Sequence, residues 1–369
     1  MSIMQFVFVS TITITTFAIS LLTAKIYAIG LHASAQTTRM LITIGVLGPL
    51  FFVATMFLGR TGKESLIDWV SYPVNALGGI IFYLFITGIV LGIVLLLGRV
   101  SHVSIPVFVG YAFLFVGFAM GIAGLIQAKQ IKVVQYDFIL NGAPKEWEGK
   151  KAILVSDTHF GLVNHAKFSK KVVNAIIRAN PDFVLHAGDF YDGPANDTVP
   201  ITESWKELAK VVPVFYAPGN HEEYGDYDGF LTSVKDAGVT ALVDSFVEYK
   251  GVQIAGITYR DKNQSTIADK VIKDLKVDQA KPLILINHPP TFQNSAIDVG
   301  TDLMVSGHTH RGQFWPLNYI VKRIYGKYIY GVNVDDTLTT ITTSGVGTAG
   351  PPMRLFNTPE LVMINFKLN

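Results

Sequence analysis

Five short polar motifs in the second half of the chain contain residue types that bind divalent metal ions. The motifs are Asp157-Thr158-His159, Gly188-Asp189-Phe190-Tyr191-Asp192, Gly219-Asn220-His221-Glu222, Asn287-His288 and Gly307-His308-Thr309-His310. Five of the nine histidines lie in them. Imidazole nitrogen and carboxylate oxygen suit borderline divalent cations. The chain has no cysteine, which excludes thiolate ligands and thiol nucleophiles.

The chemistry that this ligand set favours is hydrolysis at phosphorus. Two cations about 3.5 to 4 Å apart bind phosphate oxygens, lower the pKa of a bridging water and stabilise in-line attack. A carboxylate between the cations offsets their repulsion, and a neighbouring glycine lets the backbone approach closely. Alone, an Asp-x-His or Gly-Asp motif at a strand end is more typical of a loop cap or polar turn. Two histidines within three residues, however, are costly to bury unless they are ligands or well hydrogen-bonded.

Each motif follows a short apolar run that predicts a β-strand. The runs span residues 152–156, 183–187, 214–217, 283–287 and 303–306, and further strands are predicted at 133–140, 253–257 and 338–343. Helical patterns intervene at 167–179, 203–211 and 227–237. Because the carboxyl ends of strands in an α/β sheet converge on one crevice, we expect the five motifs to surround one point. The remaining histidines of this region, His165 and His186, are interpreted as a surface residue and a packed strand residue.

The ordered set of motifs resembles that of the calcineurin-like metallophosphoesterases. The family pattern reads Asp-x-His, Gly-Asp-x-x-Asp, Gly-Asn-His followed by Glu or Asp, His, and Gly-His-x-His, and the resemblance covers residues 150–366. It implies an α/β four-layer (α-β-β-α) sandwich of two mixed sheets flanked by helices. It also implies two divalent cations. Manganese is the expected metal, and iron, zinc and magnesium are the alternatives.

The resemblance assigns a role to each motif residue. One metal would be held by Asp157, His159, Asp189 and His310, and the second by Asp189, Asn220, His288 and His308, so that Asp189 bridges. His221 would contact the scissile phosphate and protonate the leaving oxygen, and Asp192 would orient it. A carboxylate beside an imidazole favours the charged imidazolium, which is the form that donates a proton.

The first 130 residues differ from the rest in being long apolar stretches with few charges. A bilayer core about 30 Å thick needs roughly 20 apolar residues in a helix. Four stretches meet that length: residues 1–24, residues 40–59, and one stretch each within residues 69–98 and 100–128. A cleavable signal begins with positive charge, whereas the first charged residue here is Lys25. A buried helix of a soluble core is the other alternative, and four consecutive stretches disfavour it. We therefore predict a four-helix transmembrane anchor over residues 1–130 and a metallophosphoesterase domain over residues 131–369.

The distribution of basic residues predicts which side of the membrane carries the site. An even number of spans places the N-terminus and the metallophosphoesterase domain on the same side. That side carries Arg60, Lys63, Lys129, Lys132 and Lys145, and the opposite loops carry Lys25, Arg39 and Arg99. The excess of positive charge predicts a multi-pass integral membrane protein with a cytoplasmic catalytic domain.

The end of the chain resembles a membrane-associated branch of the same family that acts on or near lipid substrates. The resemblance lies in Gly312-Gln313-Phe314-Trp315-Pro316 and in residues 345–360, and Arg311 departs from it because the branch usually has glycine there. The expected substrate is a phosphate ester or pyrophosphate on a lipid or another molecule presented from the membrane. Aromatic and basic residues alternate over residues 314–330, which is typical of an interfacial lid or of a packed β-hairpin with a solvated basic face.

Other functions are weighed against the enzyme. A net charge of +2 without clustered Lys and Arg gives no support for nucleic-acid binding. A catalytically silent membrane scaffold with the same fold predicts missing ligands, and none is missing. A transporter is disfavoured because the spans contain no pair of charged residues to mark an ion path. The sequence predicts no particular protein partner.

Overall fold

The computed structural model describes residues 3–58, 64–192, 198–260 and 264–369. The chain divides into two compact units. The helical unit consists of Met1–Ile126 with Gly350–Met353, and the α/β unit consists of Gln127–Ala349 with Arg354–Asn369. The sequence places the corresponding domain boundary at residue 130.

The described residues of the helical unit contain four helices: α1 (Ile3–Gly30), α2 (Ala35–Leu58), α3 (Glu64–Val100) and α4 (Val107–Gln127). Within the described residues, three segments are long and apolar enough to cross a membrane: Thr13–Gly30, Val70–Val100 and Val107–Gln127. The predicted stretch 40–59 is not among them, and its last residue lies outside the described part of the chain. The structure therefore supports three of the four predicted spans.

Small residues bring the helices of this unit together. The buried residues of α4 are Gly110, Gly117, Gly121 and Gly124. A side chain at Gly110 would overlap the backbone at Gly30, so α4 approaches α1 closely at that point. The Tyr27 hydroxyl and Thr87 Oγ1 are 2.7 Å apart and join α1 to α3. Small-residue contacts and interhelical hydrogen bonds of this kind are typical of helices that associate in membranes.

Twelve strands in the described residues form two sheets of six. The order in the first sheet is β1 (Lys132–Ile139), β12 (Glu360–Lys367), β2 (Lys151–Val155), β3 (Phe183–Ala187), β4 (Val214–Ala217) and β5 (Thr240–Ala241). The order in the second is β10 (Gly331–Asp335), β11 (Leu338–Thr342), β9 (Leu303–Ser306), β8 (Leu283–Asn287), β7 (Val252–Ile257) and β6 (Ser245–Tyr249). β2 to β5 run parallel, and so do β7, β8, β9 and β11. Both sheets are mixed, because β12 is antiparallel to β2 and the edge strands β6 and β10 are antiparallel to their neighbours.

The two sheets face each other across an apolar core, and helices cover their outer faces. Leu185 and Phe215 of the first sheet share this core with Ile254 and Ile284 of the second. The helices are α5 (Ala166–Ala179), α6 (Val199–Ala209) and α7 (Tyr227–Asp236) on the first sheet, with α8 (Ser265–Asp274) and α9 (Gln293–Asp298) on the second. The arrangement is an α/β fold with two mixed sheets, as the sequence predicts.

The sequence misses several elements. The strands β5, β6, β10 and β12 and the helices α8 and α9 are additional to the predicted set. β12 pairs with both β1 and β2 and completes the first sheet. The hairpin alternative for residues 314–330 is wrong, because this segment contains the helix α10 (Asn318–Tyr325). Its residues form an i, i+4 helical pattern, in which Ile320 and Ile324 lie on one face.

Candidate metal centre

The predicted site residues lie at the carboxyl ends of five strands. β2 leads to Asp157 and His159, β3 to Asp189 and Asp192, β4 to Asn220 and His221, β8 to His288, and β9 to His308 and His310. Three of these strands belong to the first sheet and two to the second. The convergence of the motifs is predicted from the carboxyl edge of one sheet. In the structure, the carboxyl ends of strands from two facing sheets meet instead.

The first group of possible ligands consists of Asp157, His159 and His310, whose ligand atoms all lie within 4.8 Å of one another. His159 Nε2 is 2.9 Å from His310 Nε2. His310 Nε2 is 3.4 Å from Asp157 Oδ1, and His159 Nε2 is 3.6 Å from Asp189 Oδ2. The predicted ligands Asp157, His159 and His310 therefore lie close together, and Asp189 lies next to them.

The second group consists of Asp189, His288 and His308. His288 Nε2 is 3.1 Å from Asp189 Oδ2. Asn220 joins this group, because its Oδ1 is 3.2 Å from His288 Nε2 and 2.9 Å from His308 Nδ1. The amide nitrogen of Asn220 donates to the Tyr224 hydroxyl at 3.2 Å, so the oxygen is the atom that faces the histidines. Asp189 Oδ2 thus lies next to both groups.

The hydrogen-bond partners behind the rings show which ring atoms could bind a cation. His288 Nδ1 donates to the Ala187 carbonyl at 2.7 Å, so Nε2 of the neutral ring carries a lone pair. That atom faces the oxygens of Asp189 and Asn220, which also only accept. Behind His159, Nδ1 donates to Asp192 Oδ1 at 3.1 Å. Lone pairs that converge in this way, with the rings held from behind, fit borderline divalent cations.

The electrostatics of the second group follow from burial and from the charge of Asp189. Burial would raise the pKa of Asp189, but the positive charge and hydrogen bond of His288 hold it well below its ordinary value. Burial would lower the pKa of His288, yet Asp189 raises it to about 9. Burial, together with the neighbouring His288, lowers the pKa of His308 to about 3. At neutral pH the proton on His288 therefore supplies the positive charge that a cation would supply.

The backbone at the site is unusual. Five predicted ligands have φ in the left-handed region: Asp157 (53°), His159 (45°), Asp189 (52°), His308 (68°) and His310 (47°). Such conformations cost roughly 1–3 kcal/mol each and concentrate at functional sites. Glycine is required beside them, since a Cβ at Gly219 would overlap the Asp189 carboxylate and a Cβ at Gly307 would overlap Ser156.

His221 and Asp192 lie beside the first group. His221 Nδ1 is 3.3 Å from Asp192 Oδ1, within ion-pair range but outside hydrogen-bond geometry. Burial would lower the pKa of His221, but Asp192 and Asp189 raise it to about 9. Asp192 Oδ1 also accepts from His159, a partner that the sequence does not predict. The ligand atoms of His221, His159 and Asp189 lie within 4.8 Å of one another as well, so distance alone does not separate His221 from the ligands.

Two fully buried charged residues support the site. Glu222 accepts backbone N–H groups from Asp189 at 3.2 Å, Tyr191 at 3.0 Å and Gly219 at 2.6 Å. It holds the loops after β3 and β4 together, and the only signal in the sequence is its place in the Gly-Asn-His-Glu motif. Arg354 Nη2 donates to His310 Nδ1 at 3.1 Å. This contact spans 44 residues and has no local signal.

The comparisons with known proteins identify the family of this chain. The profile described as "Calcineurin-like phosphoesterase" matches residues 150–312. A metallophosphoesterase of Aquifex aeolicus (strain VF5) is 30% identical over 261 residues, which are 69% of this chain and 98% of that protein. The chain therefore belongs to the calcineurin-like phosphoesterase family of metallophosphoesterases.

Two further relatives extend the comparison. A metallophosphoesterase of Helicobacter pylori (strain ATCC 700392 / 26695) is 29% identical over 58% of this chain and 59% of its own length. A Danio rerio protein named "Transmembrane protein with metallophosphoesterase domain" is 26% identical over 67% of this chain and 60% of its own length. Together with the three apolar helices, the second relative indicates that this chain is a membrane protein.

Proposed function

We propose that this protein is a membrane-bound hydrolase that cleaves a phosphate ester or pyrophosphate with the help of two divalent cations. The observation that supports it best is the convergence of His159, His288 and His308 on the Asp189 carboxylate, with ring nitrogens as near as 3.1 Å. When bound, the cations would activate water and stabilise charge on the phosphate oxygens. Manganese is the cation that we expect, with iron, zinc or magnesium as alternatives.

The proposed roles follow the family pattern. Asp157, His159, Asp189 and His310 would hold one cation, and Asp189, Asn220, His288 and His308 the other. His221 would protonate the leaving oxygen, because its raised pKa of about 9 keeps the ring charged at neutral pH. Asp192 would fix both His221 and His159, since its Oδ1 lies within 3.3 Å of each ring.

The membrane context shapes the substrate that we propose. The proposed substrate is a lipid phosphate or a phosphate carried by a lipid. Hydrolysis of a small soluble ester would not require an enzyme that is anchored in the membrane. The apolar helices support a chain that crosses the bilayer several times. Lys129, Lys132 and Lys145 follow the last apolar helix, and this positive charge supports a cytoplasmic site.

The test is hydrolysis of bis(p-nitrophenyl) phosphate by the detergent-solubilised full chain, stripped of metal and then given manganese. We expect turnover that depends on added metal and is lost in Asp189→Asn. The matched control is Asp298→Asn, whose carboxylate is 57% exposed and pairs with Lys273 on the surface. Surface pairs of this kind contribute about 0–1 kcal/mol, so this variant should retain turnover. A chain that binds no metal and turns over no phosphate ester would support a silent scaffold instead.

A further inference from the structure

A solvent-exposed helix beside the metal centre carries large apolar side chains. No residue of α10 is buried, and Tyr319 and Ile320 are 64% and 59% exposed. Lys322 and Arg323 on the same helix are exposed as well. Single apolar residues are ordinary on a protein surface, whereas contiguous ones rimmed by polar groups mark an interaction site.

An aromatic side chain from the end of the chain extends this surface. Phe356 is 70% exposed, and its ring centroid is 6.1 Å from that of Trp315, which precedes α10. The backbone N–H of Leu355 donates to the Gln313 carbonyl at 3.3 Å and joins the two segments. We define the aromatic-basic surface as Trp315, Tyr319, Ile320, Lys322, Arg323 and Phe356.

The aromatic-basic surface lies where the chain leaves its last apolar helix. Gln127 is the final residue of α4, a candidate membrane span, and it belongs to the α/β unit. Its side chain accepts from Phe356 N at 3.0 Å and donates to Thr358 Oγ1 at 3.0 Å. Phe356 is therefore hydrogen-bonded to the last residue of a candidate membrane span.

Residues next to this surface contact the loop of predicted ligands that follows β9. Asn357, next to Phe356, donates from its side chain to the His310 carbonyl. The ring of Tyr325, at the end of α10, is 5.7 Å from the ring of His308. Thr309, between the two histidines, donates to the Ile329 carbonyl at 2.7 Å. The loop of predicted ligands after β9 therefore contacts, at three points, the two chain segments that carry the aromatic-basic surface.

We propose that the aromatic-basic surface rests in the headgroup region of an anionic lipid bilayer and admits an amphiphilic substrate. The phosphate of the substrate reaches the metal centre while its apolar part stays in the lipid. Aromatic side chains favour the membrane–water interface, and each cation near an anionic surface strengthens binding. This inference deepens the proposed function, because it rests on the metal centre being a phosphoesterase site.

The first test uses the absence of cysteine, which allows one fluorophore to be placed at a chosen position. Ile320→Cys and Phe356→Cys are labelled with a nitrobenzoxadiazole dye in the full chain, reconstituted in nanodiscs of phosphatidylcholine and phosphatidylglycerol. A headgroup nitroxide lipid should quench both labels several-fold more than labels at Val211→Cys and Ile267→Cys, which are exposed positions on the same unit. Removing both charges with Lys322→Ser and Arg323→Ser should weaken the quenching about fivefold or more.

The second test compares two substrates. Tyr319→Ser with Ile320→Ser should lower hydrolysis of a vesicle-embedded lipid that carries a fluorogenic phosphodiester about tenfold. The same variant should hydrolyse soluble bis(p-nitrophenyl) phosphate at the normal rate, and Val211→Ser with Ile267→Ser should affect neither. An equal loss on both substrates would overturn the inference. So would label quenching no stronger than at the control positions, the result expected if another protein covers this surface. The quenching test needs no turnover, so failure of the proposed function is separable from failure of the inference.

Discussion

The two groups of possible ligands in the candidate metal centre differ in the hydrogen-bond partners of their histidines. In the second group, a backbone carbonyl accepts from His288 and leaves its Nε2 directed at Asp189. In the first group, Arg354 donates to His310 Nδ1 at 3.1 Å. A guanidinium only donates, so the neutral His310 ring keeps its proton on Nε2, which faces His159 Nε2 at 2.9 Å.

This difference indicates that the two groups do not bind metal equally well. For His310 to bind a cation through Nε2, its ring proton must move to Nδ1, which breaks the hydrogen bond from Arg354 and leaves the cation near that buried charge. In the second group, a cation replaces the proton on His288 in the field of the Asp189 carboxylate. We therefore expect the second group to bind the first cation.

The largest effect should come from Asp189→Asn, because Asp189 borders both groups. Loss of its charge removes the carboxylate that lies next to both groups and would offset repulsion between two cations. We expect both metal affinities to fall by more than about 100-fold, beyond what is typical for outer partners of a metal site. Calorimetric titration with manganese measures this, and Asp298→Asn serves as the control. A fall confined to one affinity would contradict the bridging position.

Removal of one histidine from each group should separate the groups. His308→Ala should abolish the tighter of two binding events, and His310→Ala the weaker one. Titration of each variant should then show one cation per chain in place of two. Loss of the tighter binding event in His310→Ala would contradict the expectation that the second group binds the first cation.

Asp192→Asn should act on the first group alone. Its carboxylate holds His159 from behind, and such partners contribute about 10- to 100-fold to metal affinity. The same change should lower the pKa of His221, since Asp192 helps to raise it to about 9 against the effect of burial. The alkaline fall of kcat should therefore begin at a lower pH. Weakened metal binding with an unchanged pH profile would show that Asp192 holds His159 but does not orient His221.

The second group should show a pH dependence set by His288. In the metal-free protein, Asp189 raises the pKa of His288 to about 9, and the ring must lose this proton to bind a cation. Below about pH 9 the affinity of the first cation should therefore fall by up to tenfold per pH unit, with one proton released. Titration in buffers of different ionisation enthalpy measures the released protons, and binding without proton release would contradict this.

The smallest effect should come from Glu222→Gln. The substituted amide would turn N–H groups toward the backbone donors of Asp189, Tyr191 or Gly219, and a lost buried hydrogen bond costs about 1–3 kcal/mol. We expect lower thermal stability and a similar modest fall in both metal affinities, because Glu222 holds the loops after β3 and β4. Glu223→Gln is the matched control, since Glu223 is exposed. A fall in one affinity only would show that Glu222 supports a single group.

The sequence predicts which residues meet at the candidate site better than it predicts their surroundings. Short apolar runs that end in Asp, His or Asn are local signals, and they find each strand end that enters the site. Strand β12 also has a local signal in its apolar run, but it lies outside the motifs and was not predicted. The contacts of Asp192 with His159 and of Arg354 with His310 join residues that are 33 and 44 positions apart. Only the folded arrangement of two sheets brings those pairs together.

The most direct test of the central claim, that two cations share Asp189, is electron paramagnetic resonance of the full chain with two equivalents of manganese. A shared carboxylate holds the two ions about 3.5 to 4 Å apart, close enough for their spins to couple. We expect a spin-coupled dinuclear signal in the native chain and its loss in Asp189→Asn. Two equivalents bound with only the signal of isolated manganese ions would contradict the account.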